Sequence, residues 1–121
     1  MKQNKQSWQM IRSISYSFKG LRFAFKTQPN FRIECVSAIL VLTSGFIFGL
    51  TAYEWVVICL CIGAVCAAEL VNTAIEKLVD MVQPDFDAKA GLVKDLSSAM
   101  VLVVAIGSAA CGLIIFLPKF F

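Results

Sequence analysis

Three uncharged apolar stretches, Cys35 to Tyr53, Trp55 to Ala68 and Leu96 to Pro118, dominate the pattern of hydrophobic and polar positions. A helix needs about 20 residues to cross a bilayer core of about 30 Å. The first and third stretches reach that length, and the second reaches it only by running on into a polar stripe. The pattern therefore predicts transmembrane helices over 31–50, 55–82 and 89–117. Ahead of them Trp8, Ile11, Ile14, Phe18, Leu21 and Phe25 recur at helical spacing, with Arg12, Lys19, Arg22 and Lys26 at other angles. That predicts an amphipathic helix over 7–26, lying on the membrane surface with its rings in the acyl boundary and its cations at the headgroups. The segment Thr27-Gln-Pro-Asn30 breaks the two apart. The expected fold is an all-α membrane protein, one domain over 1–121.

The polar stripe is Glu69-Leu-Val-Asn-Thr-Ala-Ile-Glu-Lys-Leu-Val-Asp80. At about 100° per residue, Glu69, Asn72, Glu76 and Asp80 fall within roughly 80° of one another, so one face of this helix is acidic. Leu70, Val71, Ala74, Ile75 and Val79 cover the other faces. Carboxylates inside a span are costly and mark function or a buried polar partner.

Composition supports the membrane assignment: 59% of the 121 residues are hydrophobic and the mean hydropathy is +0.78. The spans are too long and too many for a cleaved signal sequence. Most Lys and Arg precede the first span or flank the loop 81–95, whereas the turn 51–54 has none. The positive-inside rule then puts the N-terminus and that loop in the cytoplasm. The net charge of +3 is small and lies beside the membrane, which favours anionic headgroups or phosphates over nucleic acid. The five cysteines all fall in spans without metal-site spacing and read as packing residues. There is no histidine, which removes His-based acid–base chemistry and the usual transition-metal sites. Gly45 and Gly49, and the small residues from Gly107 to Gly112, suggest close helix packing. Three spans make a thin bundle, so a homo-oligomer is expected.

Depth separates the carboxylates. Glu69 stands about 21 Å along the helix from Trp55, hence roughly 9 Å below the inner surface, while Glu76 and Asp80 lie near or beyond it. Glu69 is at the level of a lipid hydroxyl and suits a general base. Glu76 is where Mg²⁺ and phosphates arrive from the cytosol, Asn72 can orient either partner, and Lys94 suits phosphate as a point charge. Arg32 and Glu34, at the mouth of the first span, fit an interfacial anchor pair or a headgroup- or nucleotide-binding pair equally well. The sequence carries no Walker A motif or kinase glycine loop. The residues alone leave two readings open: phosphoryl transfer from a nucleotide to a membrane lipid, or a small proton-coupled transporter, since an intramembrane Glu serves both.

The stripe itself, followed by Lys94-Asp95-Leu-Ser-Ser98 and preceded by Tyr16-Ser-Phe-Lys-Gly-Leu-Arg22 and Asn30-Phe-Arg-Ile-Glu34, resembles the prokaryotic diacylglycerol kinase family, which includes undecaprenol kinases. The likeness covers nearly the whole chain. It implies ATP-dependent phosphorylation of diacylglycerol or undecaprenol by a multi-pass protein of the bacterial cytoplasmic membrane. It also implies a homotrimer with Mg²⁺–ATP sites between subunits. Residue by residue it implies that Glu69 is the catalytic base and Glu76 a metal ligand. Tyr16, Asn72, Lys94, Asp95 and the turn Asp85-Phe86-Asp87 would lie at the nucleotide, with Ser98 beside the lipid. Gln28 stands where the family carries a metal-holding Glu, and an amide oxygen is a weaker Mg²⁺ ligand than a carboxylate.

Overall fold

The computed structural model describes residues 2–121, with side-chain surroundings from residue 4 onward, and the described residues form four helices and no strand. They are α1 (Lys2–Thr27), α2 (Pro29–Phe48), α3 (Ala52–Val82) and α4 (Ala88–Phe120). The last three are long and apolar enough to cross a membrane. At about 1.5 Å per residue, α3 and α4 run to roughly 46 and 50 Å, well beyond a bilayer core, so each carries polar turns past the apolar slab.

A single residue separates α1 from α2. Gln28 is extended (φ −112°, ψ 104°), the conformation imposed on a residue before proline. Pro29 then opens α2, where its missing N–H leaves nothing unpaired. The first span thus starts at Pro29 rather than at 31, because the proline is a helix starter here. Arg32 closes the corner from the other side: its Nη1 donates to the carbonyls of Phe25 (3.3 Å) and Lys26 (3.1 Å), two of the free acceptors at the end of α1. Ala24 and Phe31 are buried at this corner.

The turn between α2 and α3 uses Gly49 in the left-handed region (φ 70°), with the amides of Gly49 and Leu50 both donating to the Gly45 carbonyl. A capping box follows. Thr51 Oγ1 accepts from the Glu54 amide, and Glu54 Oε1 accepts from the Thr51 amide. Lys119, from the far end of α4, reaches the same Glu54 oxygen at 3.1 Å. Phe48 packs on Phe120 and Phe116, and Phe46 on Trp55. This end of the bundle is tied by a charge pair and aromatic contacts together.

The small-residue expectation needs correcting inside the single chain. A Cβ on Gly45 would meet the Trp55 ring at 2.7 Å, so that glycine does make room for a neighbour. Gly49, Gly107 and Gly112 have nothing within 4 Å of such an atom, and Gly49 is required by its backbone angle instead. At the opposite end, Asp87 caps α4 by accepting from the Lys89 amide at 2.7 Å. Pro118 falls in the last turn of α4, which continues to Phe120.

The closest packing is between α3 and α4, with α2 against α3 on one side. Few side chains are enclosed: Phe31, Ile58, Val65, Ala68 and Ile115 are the buried apolar side chains along the spans. Large residues such as Phe46, Ile47 and Ile114 face outward, as a chain surrounded by lipid or by further copies requires.

Candidate active site

The polar stripe of α3 faces α4 and the start of α2. Glu69 is buried, only 6% exposed, and Thr73 one turn on is buried as well, its hydroxyl donating to the Glu69 carbonyl at 2.9 Å. Asn72 and Glu76, half-buried and one turn apart on the same face, are joined by the Asn72 Nδ2 donating to Glu76 Oε1 at 3.2 Å. The other end of the Asn72 amide accepts from Ser97 Oγ of α4 at 2.7 Å. A directed chain of hydrogen bonds thus runs Ser97 to Asn72 to Glu76 across the interface between the two helices.

A cavity of about 560 Å³ opens beside this chain, lined by Glu69, Asn72, Asp95, Ser98, Asn30 and Glu34 among others. Three helices contribute to it. Glu69 and Asn72 of α3 and Asp95 and Ser98 of α4 share this space, whereas Glu76 and Lys94 are not among its lining residues. Adjoining it is a second cavity, also about 560 Å³, with a wall of Ala38, Val41, Ile62, Val65, Ala109 and Leu113 between α2, α3 and α4. Glu34 and Ala105 line both cavities. A polar chamber with a buried carboxylate thus continues into an apolar groove set along the spans.

Lys94 ion-pairs with Asp80, one turn beyond Glu76 on α3. Both ends are partly exposed, so the pair is replaceable by an incoming anion at small cost. The fourth member of the acidic stripe is in this way tied to the lysine that suits phosphate.

Other sequence-predicted residues stand apart in the single chain. Tyr16 lies exposed on α1, with the Lys19 ammonium 5.4 Å from its ring centre. Gln28 is half-buried in the α1–α2 corner, and Phe86 is fully exposed in the loop with Asp85 beside it. Asp87 is engaged as the cap of α4, and Arg32 as the cap of α1. None of these six lines either cavity. Conversely, Ser97 and the cavity position of Asn30 went unassigned, whereas Glu34, weighed with Arg32 as an anchor or as a headgroup or nucleotide ligand, lines the chamber. Glu34 had a signal, a charge three residues into a span. Ser97 had none that distinguished it from Ser98.

The donors present are hard oxygens: the carboxylates of Glu76, Glu69, Glu34 and Asp95, with amides at Asn72 and Gln28. Such a set suits Mg²⁺, which takes one or two protein carboxylates and completes its octahedron with water and phosphate oxygens. Among the described residues no three His, Cys, Asp or Glu side chains form a ready-made cage.

Comparison with known proteins places the chain among membrane lipid kinases by sequence. A family model described as prokaryotic diacylglycerol kinase matches residues 15–116. The chain is 37% identical to an undecaprenol kinase of Bacillus subtilis over 109 residues, 90% of this chain and 89% of that one. It is 34% identical to a diacylglycerol kinase of Synechocystis over 119 residues, covering 94% of this chain and 68% of the relative. Against a diacylglycerol kinase of Escherichia coli K12 the identity is 32% over 97 residues, 80% of each chain.

Proposed function

The chain belongs to the prokaryotic diacylglycerol kinase family, and from that membership we propose that it moves the γ-phosphoryl group of ATP onto the hydroxyl of a membrane lipid alcohol. It is a lipid kinase; the transporter alternative falls with the family assignment. The acceptor is a diacylglycerol or undecaprenol, the substrates its relatives are named for.

One observation carries the detailed reading: a buried carboxylate sits in a polar chamber that continues into an apolar groove between the spans. The groove suits a hydrocarbon chain and the chamber suits the alcohol at its end. Glu69 is the general base. It takes the proton of the lipid hydroxyl as that oxygen attacks the γ-phosphorus, the bond to the β-phosphate oxygen breaks, and ADP leaves. Burial of Glu69 limits its contact with water, which would otherwise compete as acceptor. Asn72 orients Glu76, and Lys94 exchanges Asp80 for phosphate. Mg²⁺ would be held by Glu76, with the Gln28 amide oxygen as a weak second ligand, and when bound it neutralises charge on the phosphates.

Asp95 and Ser98 are exposed in one chain although they line the chamber, and Tyr16, Asp85, Phe86 and Asp87 do not reach it. A homotrimer whose subunits share each site brings the remaining wall and these nucleotide residues together. The orientation is N-terminus inside, in the bacterial cytoplasmic membrane, with α1 on the inner leaflet. Arg32, exposed beside the chamber's rim, is available to a lipid headgroup while it caps α1.

The test is transfer of labelled phosphate from Mg²⁺–ATP to diacylglycerol and to undecaprenol in mixed micelles, for wild type and Glu69→Gln. Transfer to at least one lipid is expected, falling by about 10²- to 10⁴-fold in the variant. Full transfer by Glu69→Gln would remove Glu69 as the base.

A further inference from the structure

The relay that reaches Glu76 begins at a residue the reaction above does not use. Ser97 is 5% exposed, inside the α3–α4 interface, and its hydroxyl makes one side-chain hydrogen bond, to Asn72 Oδ1 at 2.7 Å. An amide has two ends of similar shape and opposite function. The helix alone puts Asn72 beside Glu76, one turn away, but does not decide which end faces the carboxylate. If the carbonyl faced it, two acceptors would meet at the 3.2 Å now occupied by a donor–acceptor pair. The Ser97 hydroxyl holds the carbonyl on the α4 side and, by polarising the amide, strengthens the N–H that Asn72 gives to Glu76. Neighbouring Ser98 points to a different task, since it lines the chamber and is exposed.

We propose that Ser97 is a positioning residue for the nucleotide end of the site: through Asn72 it fixes the Glu76 carboxylate that receives a magnesium nucleotide. The inference rests on the assignment of Glu76 to that ligand. Ser97 touches neither substrate. Its loss frees the Asn72 amide to rotate and leaves Glu76 with an unreliable donor, which weakens nucleotide capture and leaves the lipid groove as it was.

The decisive measurement is binding of a magnesium-loaded, non-hydrolysable ATP analogue to purified protein in micelles, by titration calorimetry, alongside KM for the lipid. Ser97→Ala is expected to weaken analogue binding roughly three- to tenfold, the worth of one buried neutral hydrogen bond, with lipid KM unchanged. In an Asn72→Ala background the same substitution is expected to change binding no further. Unchanged binding in folded Ser97→Ala overturns the proposal, and so does an equal loss in both backgrounds. If Ser97→Ala fails to fold, Ser97→Cys, nearly isosteric and a poorer donor, carries the same expectation. A wild type that binds the analogue and shows this coupling, yet phosphorylates neither lipid, overturns the lipid kinase assignment while Ser97 keeps its role.

Discussion

At the scale of residues, four polar groups on one helical face have taken three separate jobs. Glu69 is enclosed, Asn72 and Glu76 form a relay with α4, and Asp80 holds Lys94. The common face was legible because helical period alone orders residues on a single helix. Their partners were not, because partner choice depends on how α4 is rotated about its own axis, which a single sequence leaves open. That is why Ser98 was singled out and the buried Ser97 was missed. The same limit applied to Asp80, which depth placed near or beyond the inner surface with no partner, and whose carboxylate pairs with Lys94. Gln28 supplies the sharpest residue-level prediction. Gln28→Glu restores a carboxylate where an amide stands and is expected to lower the Mg²⁺ concentration for half-maximal phosphate transfer, read from a Mg²⁺ titration at fixed ATP. An unchanged midpoint would place the second metal ligand elsewhere.

At the scale of elements, the spans were visible as uncharged windows and the amphipathic α1 as a period, so the number and order of helices followed from sequence. Their ends followed less well. Pro29 looked like a breaker and is a first-turn residue, and Arg32, read equally as an interfacial anchor and as a headgroup or nucleotide ligand, also clasps the end of α1. The reason is that a cap is defined by acceptors on another element, which one-dimensional spacing does not contain. Arg32→Ala removes two charge-assisted bonds at an exposed corner and is expected to cost about 1 kcal/mol. The loss is read as faster amide hydrogen exchange in the last turn of α1, from Phe23 to Thr27. Exchange confined to α2 would instead show that the clasp is immaterial.

At the scale of the whole molecule, enclosure is the missing quantity. Few apolar side chains are buried by one chain, and the chamber stands open to its surroundings. Native mass spectrometry from detergent is expected to give a trimer, and a monomer with full transfer activity would refute shared sites. The groove makes a second prediction. Ala109→Phe fills part of its apolar wall and is expected to lower kcat/KM for the lipid several-fold while leaving KM for ATP unchanged, measured with each substrate varied in turn. Equal changes in both constants would mean that the groove does not hold the lipid chain.

The end of the bundle that joins α2 to α3 is fastened by the Glu54–Lys119 ion pair and by tilted and edge-on ring contacts at Phe48 and Trp55. The other end is held by one amide, one hydroxyl and a solvent-touched ion pair. A pair of tongs is built this way, riveted at one tip and lightly latched at the other. Any breathing of α3 against α4 therefore opens widest beside the carboxylates, at the chamber, while the ringed end keeps the two helices in register.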